Sequence, residues 1–183
     1  MSEIAGHFAN VAGQFTQRAR AVPEAAWDNP APCEGWVARD VIGHMVEWMP
    51  GLFLDPWEIE RPAFPAIADD PAGAWTTLVD ALQSNLGDPE AARREADIHP
   101  GRFSFEQAVD RFAIGDIVIH TWDLARAAGL DETLDPEEVH RLLVAMEPID
   151  EMLRQSGHYG PRVIVPDDAD EQTKLIAFTG RQP

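Results

Sequence analysis

Asp116 and His120 stand four residues apart, the spacing at which two side chains meet over one turn of a helix. A carboxylate and an imidazole aimed the same way make two-thirds of a facial metal site, and the third ligand has to come from another segment. His44 is the best supplier, because it lies on the apolar side of a helical run between Val41 and Trp48. Three protein ligands leave positions open for water or substrate, as in a catalytic rather than a structural zinc site. Zinc suits such a donor set, and nickel and ferrous iron accept it too. Each residue also has a plainer reading. An Asp and a His at this spacing recur by accident and can form a simple hydrogen bond or a buried ion pair. A histidine on an apolar face can be a satisfied core residue, so convergence is a matter for geometry.

Other residues near these positions carry paired readings. Asp123 follows His120 by three and either orients a ligand histidine or serves as a general base; alternatively it is a helix charge paired with Arg126. Arg126 either binds an anionic group of a small molecule or is solvated. Glu47, three after His44, is a ligand or base if it turns inward and a solvated acid if not. Cys33 sits in a proline-rich loop with no base identified beside it, which favours a packed small side chain. His7 shares the polar side of its helix with Gln14 and Arg18 and is expected to be exposed, as is His140, while His99 falls in a loop. His158, in the run Ser156–Gly160, offers a loop residue that could approach a metal mouth. Trp48, Trp57 and Trp75 read as core and loop anchors.

The elements that must position these groups are helical. Ile4, Phe8, Val11, Phe15 and Ala19 recur at helical spacing and predict a helix over residues 2–20. Prolines 23, 30 and 32 make residues 22–36 a loop. Val37 to Met49 reads as a second helix, with Pro50-Gly51 expected to end or kink it. Residues 55–69 form a long loop. Asp70-Pro71 starts a third helix stopped at Gly87, and Ser104 with Gln107 forms a capping box before a long helix over 105–128 closed by Gly129. Phe105, Phe112, Asp116, Ile119, His120, Asp123 and Ala127 fall along one stripe of that helix, which should face the interior. An ionised carboxylate cannot lie there alone, since unpaired burial costs several kcal/mol at least. Asp135-Pro136 begins another helix, with Pro148 as a kink. Only Arg162 to Val165 reads as extended, and residues 168–179 hold another turn or two of helix. The result is an all-α bundle of four main helices with long connections.

Composition narrows the partners. The chain of 183 residues fits one domain, residues 1–183, with 160–183 as an extension packing on it. Fourteen basic residues against 32 acidic ones give a formal charge of −18. Such a surface repels phosphate backbones and anionic lipid, which excludes nucleic acid and membrane as expected partners. No basic stretch with a cleavage site opens the chain, no window spans a bilayer, and one cysteine forms no internal disulfide; together these fit the cytoplasm.

Two runs carry a family resemblance. The run from Cys33 to His44, Cys-Glu-Gly-Trp-Val-Ala-Arg-Asp-Val-Ile-Gly-His, resembles the signature opening the second helix of the DinB-like superfamily, nearest the branch of mycothiol-dependent maleylpyruvate isomerases. The run from Asp116 to Ala127, containing His120-Thr-Trp-Asp-Leu-Ala-Arg-Ala, is similar to the second half of that signature. The stretches Gly160–Pro166 and Thr179–Pro183 resemble an actinobacterial subgroup described only as metal-binding. The resemblance implies a four-helix bundle holding a divalent metal through His44, Asp116 and His120, with water or substrate completing the sphere. It also implies mycothiol, or a similar low-molecular-weight thiol, as co-substrate for transfer or isomerisation of a small molecule. The isomerases generally have Glu where this chain has Asp116, and carry a further C-terminal domain for which the residues after Gly160 are too few. A noncatalytic metal- or ligand-binding bundle, with a homodimer among its forms, is the competing expectation.

Overall fold

The computed structural model describes residues 2–155, 157 and 159–183. Its order is α1 (Glu3–Ala21), α2 (Ala38–Phe53), α3 (Pro71–Gly87), α4 (Pro89–Arg93), β1 (Glu95–Ile98), β2 (Gly101–Ser104), α5 (Phe105–Phe112), α6 (Ile114–Ala128), α7 (Pro136–Met146), α8 (Asp150–Gln155) and α9 (Glu171–Phe178). The architecture is the all-α, DinB-like bundle that the resemblance implies, with one short hairpin added.

The caps read from sequence at Asp70 and Ser104 are made, and Ser2 caps α1 as well. Asp70 accepts from the Gly73 amide at 2.8 Å, with Pro71 at the first helical position, and Ser2 accepts from the Ala5 amide at 3.2 Å. Ser104 and Gln107 exchange both bonds of a capping box, at 3.3 and 3.1 Å. Each satisfies amides that a helix start leaves without an internal partner. Gly129 closes α6 with φ of +67°, a left-handed conformation that costs glycine nothing.

Helix α1 packs on α3 and α6, and α2 packs on the same two, so four helices enclose the core. Ala5, Phe8, Val11, Ala12, Phe15 and Ala19 form the inner stripe of α1. Trp75 of α3 meets Phe15 at 4.4 Å between ring centroids, and its indole N–H donates to Thr16 Oγ1 at 2.9 Å. The amphipathic pattern thus buries its apolar face and its one awkward donor together.

Four expectations need correction. The helix expected over 105–128 is two helices separated at Ala113, whose φ and ψ of −92° and −44° stay right-handed. The interruption is therefore a loosened ladder rather than a turn, and no Pro or Gly marks it at that residue. Pro50 does not end α2, which runs on to Phe53; Leu54 N–H bonds the Pro50 carbonyl at 2.9 Å, and Met49, Pro50 and Phe53 are all buried. One lost amide is outweighed by burial of that turn. Arg162 to Val165 joins no strand; the only strands among the described residues are β1 and β2, paired antiparallel with Glu95 opposite Ser104 and Ile98 opposite Gly101. Finally, His7 is not free on a polar face: its Nε2 lies 2.5 Å from Glu138 Oε1 and its Nδ1 3.6 Å from Asp110 Oδ1. Ala96 and Ile98 supply the hairpin's buried side, and Phe105 then turns the chain into α5.

Among the described residues no helix is long and apolar enough to cross a membrane.

Candidate metal centre

The facing sides of α2 and α6 bring His44, Asp116 and His120 together. His44 Nε2 lies 3.6 Å from Asp116 Oδ2, and His120 Nε2 lies 3.4 Å from Asp116 Oδ1. One donor atom from each of the three residues falls within 4.8 Å of the others. Both measured separations exceed the N–H···O range of about 2.7–3.2 Å. Asp116 Oδ2 is buried and has no hydrogen-bond partner among the described residues. Leaving a buried acceptor unmade costs about 1–3 kcal/mol, and more for a charged one. Ligand bonds of about 2.0–2.1 Å in a tetrahedral arrangement place neighbouring donors about 3.3 Å apart. The three residues fit a small divalent cation in donor chemistry, spacing and the unmet oxygen. The side chains of His44 and Asp116 are 34% and 26% exposed against 6% for His120, so the group opens to solvent on the His44 and Asp116 side.

Charge follows from this crowding. Burial alone would raise the Asp116 pKa, but the His120 and His44 imidazoles outweigh it and hold the carboxyl well below the usual carboxylate range. Burial alone would lower the His120 pKa; Asp116 first, and Asp123 with it, outweigh that and raise it well above an ordinary imidazole. Without a metal, His120 keeps a proton between two carboxylates, and a cation at Nε2 competes with that proton.

Asp123 is fully buried behind His120. Its Oδ2 is 2.8 Å from His120 Nδ1, and Arg181 grips it with two bonds, Nε to Oδ1 at 2.6 Å and Nη2 to Oδ2 at 2.7 Å. Burial would raise the Asp123 pKa, yet His120 and Arg181 together lower it. Its basic partner is Arg181, not Arg126. By accepting the Nδ1 proton, Asp123 turns Nε2 toward Asp116 and His44, as carboxylates do for ligand histidines. Cys33, His120 and Asp123 form a second group with donor atoms within 4.8 Å of one another. There the Arg181 guanidinium, 3.3 Å from Cys33 Sγ, already supplies the cation.

Aromatic groups wall the centre. Trp36 lies 5.9 Å from His120, nearly parallel at 18°, and 5.1 Å from His44. Trp48 sits one turn beyond His44 on α2 at 6.1 Å, and its indole nitrogen is buried with no partner among the described residues. Tyr159 is half-buried; burial and the negative charge of Asp116 raise its pKa, so it stays a neutral hydroxyl.

The remaining candidates lie elsewhere. Glu47 is exposed. Arg126 is exposed over the Trp122 ring at 4.4 Å, paired with Glu132 at 2.7 Å and donating to the Gln182 carbonyl at 3.4 Å. His140 is exposed and bonds Glu171, and His99 is exposed in the hairpin turn. His158 lies outside the described residues. Reasoning from sequence met Trp36 and Arg181 only inside the resembling runs, gave neither of them nor Tyr159 a role in the site, and set Cys33 aside. Each comes from a loop or the C-terminal segment, where no periodicity announces a direction.

The chain matches the mycothiol maleylpyruvate isomerase N-terminal domain over residues 8–125. It belongs to that family. The matched span contains Cys33, His44, Asp116, His120 and Asp123, and ends before Tyr159 and Arg181. Uncharacterized proteins from two strains of Mycobacterium tuberculosis are each 30% identical to it over 167 residues, covering 83% of this chain and 83% of the relative. An actinobacterial setting fits these family members. No solved structure matches the chain.

Proposed function

We propose that this protein is a divalent-metal-dependent enzyme that acts on a small molecule with a low-molecular-weight thiol such as mycothiol, in a transfer or isomerisation reaction. The observation that carries the reading is Asp116, whose buried Oδ2 has no partner and stands 3.6 Å from His44 Nε2 while its Oδ1 stands 3.4 Å from His120 Nε2, both too long for hydrogen bonds. His44, Asp116 and His120 would hold the metal, most readily zinc, with nickel or ferrous iron accepted by the same donors. Bound there, such an ion supplies a Lewis acid that lowers the pKa of a thiol or water or polarises a carbonyl.

The chain's own residues supply the rest. Asp123 accepts the Nδ1 proton of His120 and fixes the ring. Trp36 covers one side of both imidazoles and excludes water there. Tyr159 keeps a hydroxyl close enough to Asp116 to feel its charge. Exposure of His44 and Asp116 gives a small molecule access, which favours an enzyme over an inert buried ion. Family membership favours the thiol, and the reducing cytoplasm is where such thiols and a lone Cys33 belong. A small molecule is the partner this site fits; neither nucleic acid nor a membrane surface enters the reading.

Elemental analysis of the purified chain, with His44→Ala and His120→Ala alongside, tests the metal. A stoichiometric divalent ion lost in both variants is expected, and full occupancy in the variants would overturn the ligand set. Mycothiol consumption with a panel of small electrophiles tests the reaction. Metal binding without thiol transfer would leave the noncatalytic metal-binding bundle as the function.

A further inference from the structure

The C-terminal segment returns to the bundle through a close backbone crossing. Gly180, at φ of +89°, lies so near Gly160 that a Cβ on it would fall 3.0 Å from the Gly160 Cα. Arg154 of α8 ties both sides of the crossing, donating to the Gly160 carbonyl and to the Phe178 carbonyl, with its guanidinium 4.8 Å from the Phe178 ring. Tyr159 immediately precedes one glycine of the crossing and Arg181 immediately follows the other. The side chain of Arg181 is 12% exposed and that of Asp123 is not exposed at all, so their two parallel hydrogen bonds are shielded from water. Paired bonds of this kind fix a carboxylate in both position and rotation, which a single contact does not. Asp123 in turn holds His120 Nδ1 at 2.8 Å.

We infer that the C-terminal segment completes the metal centre, with Arg181 as a positioning residue that locks Asp123 and, through it, aims His120 Nε2. The inference rests on the reading of His44, Asp116 and His120 as metal ligands. It adds that metal affinity depends on a residue of the C-terminal segment, outside the span matched to the family. Gly180 serves this arrangement: a side chain there would push the crossing apart and carry Arg181 away from Asp123.

The test measures Zn²⁺ affinity of the full chain by competition with a chromophoric chelator, and the visible spectrum of the Co²⁺ form. Wild type, His44→Ala, Arg181→Ala and Arg181→Lys are compared; where alanine abolishes the helical circular dichroism, Arg181→Gln takes its place. Loss of a group that orients a ligand histidine is expected to weaken Zn²⁺ binding by about 10–100-fold and to shift the Co²⁺ bands. Arg181→Lys, which keeps a cation but not the fork, should recover part of that loss. A purely structural role would lower the melting temperature while leaving affinity and spectrum of the folded protein unchanged. Affinity within about twofold of wild type in the neutral Arg181 variant, with His44→Ala failing to bind, would overturn the inference and leave the ligand assignment standing. Absence of Zn²⁺ binding in wild type itself would bring down both.

Discussion

Two clusters in this bundle combine histidine with carboxylates across helices, and they are finished differently. In the first, His7 of α1 meets Glu138 of α7 at 2.5 Å, while Arg141 closes on the same carboxylate at 2.7 Å and Asp110 of α5 stands 3.6 Å from the other ring nitrogen. Both Glu138 oxygens have partners, one the His7 imidazole and the other the Arg141 guanidinium. In the second, His44 and His120 approach Asp116 only to 3.6 and 3.4 Å, and one buried oxygen is left unmet. Residue types are nearly the same; bond closure is not. A histidine–acid cluster whose hydrogen bonds are complete holds elements together. One whose bonds stop short of completion has room for a cation, and its chemistry is still to be supplied. The Cys33, His120 and Asp123 group falls with the first kind, because Arg181 fills it.

The comparison is broken most sharply by metal binding. His44→Ala, His120→Ala and Asp116→Asn should each weaken Zn²⁺ binding by more than the ~100-fold upper range for an outer-sphere change, whereas His7→Ala should leave the chelator-competition curve in place. Equal losses in the two clusters would erase the distinction. Next in size is stability. Glu138→Gln, which strips charge from a completed pair, should cost about 1–3 kcal/mol in urea unfolding of the metal-free protein, with Zn²⁺ affinity unchanged.

A third expectation concerns pH. The folded-state pKa of His120 is raised, so a proton must leave before Nε2 can bind a metal; Zn²⁺ affinity should climb by up to about tenfold per pH unit until that proton is gone. For the metal-free chain the sign reverses. A raised histidine pKa contributes stability that is complete below about 6.5, the unfolded value, and is lost as pH rises through the folded one. Calorimetry of the metal-free protein should therefore show this contribution declining on the alkaline side, and Zn²⁺ should oppose the decline. The smallest effect is expected at Arg126. Its pairing with Glu132 is solvent-exposed, so Arg126→Ala should change stability by less than about 1 kcal/mol and Zn²⁺ affinity by less than about twofold, as judged by the same titration.

What was legible in sequence follows the same physical line. Helix starts at Asp70, Ser104 and Asp135 are local, and a proline one residue on or a glutamine three residues on suffices to announce them. The inward stripe of α6 is periodic, so Asp116, His120 and Asp123 could be assigned to one face. The hairpin went unread because four-residue strands carry only two alternations each, of which Ala96 and Ile98 are the buried pair. The interruption at Ala113 carries no breaker residue. Arg181 is 58 residues from Asp123, and nothing in either neighbourhood foretells that they meet. His7 was read from its own helix alone, and its partner sits on α7, 131 residues away.

Trp36 gives the centre an optical property. Its indole lies almost flat against His120 and within 5.1 Å of His44, so its excited state samples whatever charge those imidazoles carry. Five other tryptophans emit alongside it, and the Trp36→Phe difference spectrum isolates its share. Exchange of a proton for a metal at His120 would then be visible as a change in emission, without any added dye.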